Sequence, residues 1–208
     1  MKIKGLYCIL PEFQTLAEYI NFTKKLCRFH PDIVQLRIKN KPDRFIYTIA
    51  VELRKILKRY KIPFIIDDRL DIALLTHSDG VHLGQNDLSP AEVRKVIEKF
   101  KIRNFVIGYS THSLKQAEEA LKMPIDYISI GPVFETINKP DYKVVGVEVV
   151  KKVKKMAQKV NKPVVAIGGI NEKNIWLFNE PKPDAVAVIT AIKNLQPDVI
   201  KEIKRFFI

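Results

Sequence analysis

The 208 residues contain only two cysteines, eight glycines and one tryptophan. Cys8 and Cys27 form no CxxC pair and no metal-ligand spacing, which excludes a zinc module and a disulfide scaffold. Both are expected to be buried, reduced thiols. No apolar run reaches the roughly 18 residues needed to cross a bilayer. The opening MKIKGLYCIL runs straight into Pro11 and Glu12 without a small-residue cleavage site. It therefore reads as a first strand, not a signal peptide, and the expected location is cytoplasmic. No GxGxxG follows that strand, which argues against a dinucleotide-binding open sheet. Acids are the scarce charge: 23 Asp and Glu stand against 36 Lys and Arg, for a net charge of +13. Such an excess favours anionic ligands. However, the cations of KKLCR, RKILKRYK, KKVKK and KEIKR are spread over helix-like segments, where they form solvated faces. No aromatic RNA-binding strand accompanies them, so neither nucleic acid nor membrane is expected as a partner. A homo-oligomer is compatible with the sequence.

What is present is a regular alternation. Short runs rich in Ile and Val occur at Gly5–Leu10, Ile33–Arg37, Pro63–Ile66, Gly80–Leu83, Phe105–Gly108, Tyr127–Gly131, Pro163–Ile167 and Ala185–Ile189. Runs that are apolar throughout suit strands of a parallel sheet buried on both faces. Between them lie segments with helical spacing, such as Phe45, Ile49, Leu53 and Ile56. The segments after Ile66 and after Gly168-Gly169 are short, the latter expected over 172–179. Units of roughly 25 residues, repeated from end to end, predict an α/β fold: a single-domain (β/α)8 TIM barrel over residues 1–208. The longest loop is expected at 132–145, where Pro140 resists helix.

In such a barrel the strand ends converge on one face. Gln35, Arg37 and Lys39 alternate along the second strand's end and share a side. Two cations and an amide there suit a diphosphate. Asp67-Asp68 end the third strand, and Gln85-Asn86-Asp87 follow the fourth. Asp68 and Asp87 are candidate ligands for a hard cation such as Mg²⁺; capping of the following helices is the alternative. Ser110, Thr111, His112 and Ser113 end the fifth strand. The lysine-bearing loop with Thr136, Asn138 and Lys139 follows the sixth. Gly168-Gly169 after the seventh strand and Ile189-Thr190 after the eighth fit a phosphate cradle. His82 points along a buried strand and reads as a core histidine. His30 and His77 read as surface residues.

The set VQLRIK, IIDDRLDIAL, GVHLGQNDL, IGYSTHSLKQAEEA, DYISIGPVFET, AIGGI and VAVITAI, in this order, resembles the thiamine phosphate synthase family over nearly the whole chain. The resemblance implies a barrel that joins a hydroxymethylpyrimidine diphosphate to a thiazole phosphate, with Mg²⁺ and release of diphosphate. It implies Asp68 and Asp87 as metal ligands, and Arg37, Lys39, Ser110 and Lys139 at the diphosphate. It places Gln35 at the pyrimidine end, while Asp67 adds a negative charge near the diphosphate. Gly169, Ile189 and Thr190 match the thiazole phosphate site, and Thr136 and Asn138 the thiazole. Departures include Ile38 for a usual Glu, Asp67 for Asn, Glu135 for Pro, Asn138 for Thr and Thr190 for Ser. The related thiazole tautomerases share the barrel. VFET at 133–136 looks like that branch, in which His112 would be the acid/base residue. A non-catalytic barrel that binds a thiamine precursor is the third reading.

Overall fold

The computed structural model is described for residues 1–137 and 142–208, so Asn138 and Lys139 lie outside the described residues. Eight parallel strands close into a barrel in chain order: β1 (Gly5–Ile9), β2 (Ile33–Leu36), β3 (Phe64–Asp67), β4 (Gly80–Leu83), β5 (Val106–Thr111), β6 (Tyr127–Ile130), β7 (Val164–Ile167) and β8 (Ala185–Val188). β8 returns to β1 through Val186 opposite Leu6. The helices are α1 (Leu16–Cys27), α2 (Asp43–Arg59), α3 (Leu70–Leu75), α4 (Pro90–Lys99), α5 (Leu114–Ala120), α6 (Val147–Gln158) and α7 (Pro197–Arg205). None of the described helices is long and apolar enough to cross a membrane.

Local chemistry starts these helices. Thr15 and Glu18 form a reciprocal capping box on α1. Ser89 caps α4 with Pro90 in its first turn, and Ser113 caps α5. Two expectations need correction. The segment expected to be helical after β7 contains only a 3-10 turn, Ile175–Leu177. There the Asn171 side chain accepts from the backbone N–H groups of Lys173 and Asn174, and Asn174 accepts from that of Asn171. Such Asx bonds offer the backbone an alternative to helix. β5 also runs on through Ser110 and Thr111, because these pair with Ser129 and Ile130 of β6. Those two residues are therefore held rigidly in the sheet.

Strand alternation separates two packing layers. Leu6, Cys8, Val34, Leu36, Phe64 and Ile66 face outward into the layer shared with the helices. Tyr7, Ile9, Ile33, Ile65, Tyr127 and Val165 fill the barrel interior. Cys8 and Cys27 are buried and unbridged. Burial pushes both thiols up, Cys27 to about 11, which keeps them protonated and inert.

One device recurs at the floor of the barrel. Asp32, Asp79, Asp126 and Asp184 stand just before β2, β4, β6 and β8. Each carboxylate accepts the first free N–H of the preceding odd strand: Leu6 at 2.9 Å, Phe64 at 2.8 Å, Ile107 at 2.7 Å and Val164 at 2.7 Å. Three are also paired with a helix cation, Arg54, Arg94 or Lys154. These bonds satisfy N–H groups that would otherwise be lost at the strand starts.

Candidate active site

The opposite rim opens on a cavity of about 520 Å³. Gln35, Arg37 and Lys39 all line it, as their alternation requires. Asp67 is the inner acid, with its side chain 10% exposed. It accepts from Gln35 Nε2 at 2.6 Å and faces Lys39 Nζ at 3.3 Å and Arg37 Nε at 3.6 Å. Burial raises its pKa, and Lys39 and Arg37 oppose that rise. Asp68 has a left-handed backbone, at φ +59°, and its carboxylate meets the same Lys39 ammonium that Asp67 faces. Its N–H donates to His82 O at 2.7 Å, and its carboxylate accepts from Lys39. Burial works against the Lys39 charge, but Asp67 and Asp68 outweigh it and hold the ammonium above its usual value.

Asp87 approaches Asp68 from the β4 side. Its carboxylate accepts the Gly84 N–H at 2.6 Å. Burial raises its pKa first, and the contact with Asp68 raises it further. Two carboxylates brought together against their mutual repulsion are suited to a divalent cation between them. Neither caps a helix: the N-caps of α3 and α4 are Arg69 and Ser89. Among the described residues no group of three His, Cys, Asp or Glu side chains forms a metal cage. A cation held here would complete its shell with water and ligand oxygens, the habit of Mg²⁺.

Across the cavity lie Gly168, Gly169, Ile189 and Thr190. Gly168 and Gly169 have φ +100° and +67°. A Cβ on Gly169 would fall 2.4 Å from Glu135 O, so the close approach depends on its bare backbone. Thr136 lines the same cavity. Ser110 sits between the two sides, bonded to His82 Nε2 at 2.9 Å, while Gln85 Nε2 donates to Ser110 O at 2.6 Å. His112 Nδ1 bonds Gly131 O at 2.6 Å, and its ring packs on Tyr142 at 4.2 Å. The structure thus brings Gln35, Arg37, Lys39, Asp67, Asp68, Asp87, Ser110, Thr136, Gly169, Ile189 and Thr190 around one cavity. Tyr7 and Tyr127 lie inside apolar runs, where nothing in the sequence marks them as more than core; only the barrel shows their hydroxyls meeting.

Fold and rim together define a parallel α/β barrel with an acidic pair on one side and a glycine cradle on the other. The family model described as "Thiamine monophosphate synthase" matches residues 6–192, and the chain belongs to that family. A thiamine-phosphate synthase of Hydrogenobaculum sp. is 42% identical over 159 residues, covering 76% of this chain and 71% of the relative. One from Pyrococcus furiosus is 43% identical over 159 residues, covering 76% and 73%. The solved structure of a thiamine phosphate pyrophosphorylase from Pyrococcus furiosus superposes with a TM-score of 0.81 at 32% identity, covering 98% of this chain and 95% of that one.

Proposed function

We propose that this chain is a thiamine-phosphate synthase, a transferase of thiamine biosynthesis. It joins 4-amino-2-methyl-5-hydroxymethylpyrimidine diphosphate to a thiazole phosphate and releases diphosphate. The observation that carries this reading is its identity of 42% to a relative of that name over 76% of the chain. The rim supports it, because Arg37 and Lys39 on one side and Gly168-Gly169 on the other line one cavity.

Arg37 and Lys39, which line the cavity, would bind the diphosphate and stabilise charge as it departs. Lys139 and Ser110 are assigned to the same group. Asp68 and Asp87 would hold Mg²⁺, which supplies Lewis-acid stabilisation of the leaving diphosphate when bound. Gln35 orients the pyrimidine, and Asp67 holds the Gln35 amide beside the diphosphate pocket. Gly169, Ile189 and Thr190 anchor the thiazole phosphate, with Thr136 and Asn138 beside the ring. The anchored thiazole nitrogen is held at short range from the methylene carbon, which lowers the entropic part of the barrier. No general base is needed, because the attacking nitrogen carries a free lone pair. We place the enzyme in the cytoplasm, acting on small phosphorylated substrates.

The test is incubation with both phosphorylated precursors, with and without Mg²⁺, and mass detection of thiamine phosphate. Product dependent on the metal is expected. Isomerisation of a thiazole carboxylate phosphate without any coupling would overturn the reading in favour of a tautomerase.

A further inference from the structure

A polar chain crosses the barrel interior beneath the cavity. Gln35, 2% exposed, donates through Nε2 to Asp67, so its Oε1 faces the other way. Tyr7 donates its hydroxyl hydrogen to that oxygen at 2.7 Å. The Tyr7 oxygen meets the Tyr127 hydroxyl at 2.9 Å. The Tyr127 oxygen meets His82 Nδ1 at 2.9 Å, and the two rings stack at 5.5 Å. The space for this meeting exists because β5 has Gly108 here. A Cβ at Gly108 would lie 2.3 Å from the Tyr127 hydroxyl and 2.5 Å from His82 Nδ1.

The direction of every bond follows from one end. Asp67, faced by Lys39 and Arg37, is the acceptor, so the Gln35 amide cannot turn over. The Tyr7 hydrogen is then committed to Gln35, and Tyr127 must donate to Tyr7. With its own hydrogen committed, Tyr127 can only accept at His82, which places a hydrogen on Nδ1. His82 Nε2 is left as an acceptor for Ser110, with Ser129 Oγ 3.4 Å away as a second donor. A buried phenol is costly to leave without a partner, so this order is enforced by burial.

The geometry points to Tyr7, Tyr127 and His82 as positioning residues that lock Gln35 into presenting an N–H, and never its oxygen, to the heterocycle bound beside it. A ligand edge with a ring-nitrogen lone pair is thereby accepted, and one with a ring N–H is refused. This rests on the proposed assignment of Gln35 to the pyrimidine end.

Two measurements test it. In Tyr7→Phe the Gln35 oxygen loses its donor. The KM for the pyrimidine diphosphate should rise about tenfold, which corresponds to about 1.4 kcal/mol, while that for the thiazole phosphate stays unchanged. Tyr127→Phe, one bond further away, should give a smaller rise of the same kind. Unchanged KM values, or equal rises for both substrates, would overturn the inference. The second measurement needs no variant: ¹⁵N shifts of the histidine rings in the wild-type protein. Hydrogen on Nδ1 of His82 is expected, and a neutral ring with hydrogen on Nε2 would sink the proposed order. A wild-type protein that makes no thiamine phosphate would refute the functional assignment instead, and the ¹⁵N experiment would still decide the direction of the chain.

Discussion

Asp68 and Asp87 meet across the mouth of β3 and β4, each already accepting a hydrogen bond from another direction. Lys39 donates to Asp68, and the Gly84 N–H donates to Asp87. The pair is therefore aimed before any ligand arrives, and burial together with Asp68 raises the Asp87 pKa. Such preorganisation limits the rearrangement that a divalent ion would demand.

Replacing either acid should stop turnover without unfolding the chain. Asp68→Asn is the cleaner choice, since asparagine tolerates the φ of +59° at that position. A fall on the order of 100-fold or more in kcat/KM is expected for it and for Asp87→Asn. Melting temperature should change little. Wild-type turnover in both variants would remove the two carboxylates from the mechanism.

Asp67 should leave a mark on the pH dependence of stability. Burial raises its pKa from the ordinary value of 3.8. The folded state therefore binds the proton more tightly than the unfolded chain does. Its contribution is most favourable below the unfolded value and is lost as pH rises through the higher folded value. Asp67→Asn removes this titration. The difference in unfolding free energy between wild type and variant should therefore shift in favour of the wild type on acidification just above pH 3.8. A pH-independent difference from denaturant titrations would contradict the raised pKa.

The glycine cradle predicts a substrate-selective defect. Gly169→Ala puts a methyl group 2.4 Å from Glu135 O on a backbone with φ +67°. The strain costs about 1–3 kcal/mol and moves the loop. The KM for the thiazole phosphate should rise about 5- to 140-fold, converting that cost at 1.4 kcal/mol per decade. The KM for the pyrimidine diphosphate should hold steady. Steady-state kinetics with each substrate varied in turn would expose any other pattern.

At the floor, the effect should be reversed. Asp126→Ala removes the acceptor for Ile107 N–H and the partner of Arg94. An unsatisfied N–H costs about 1–3 kcal/mol. For a chain of this size that lowers the melting temperature by about 2–4 °C per kcal/mol. Both KM values should remain as in wild type. A kinetic defect without a change in melting temperature would mean that this acid serves the site after all.

The barrel was legible because its strands are apolar throughout, a pattern that few other architectures tolerate in eightfold alternation. The rim was legible where the strand period alone sets direction, as at Gln35, Arg37 and Lys39. Elsewhere it was not. Asn171 and Asn174 redirect the backbone after β7 through side-chain bonds that periodicity does not register. Tyr7 and Tyr127 lie 120 positions apart, and only closure of the sheet brings them together. The aspartates before the even strands look like ordinary turn residues until their neighbouring strands are known.

Those four aspartates fasten the cylinder at the end remote from the reagents. The catalytic edge is thus relieved of closing duty. Exchanging a loop there, to admit a bulkier heterocycle for instance, is a remodelling that the scaffold should survive intact.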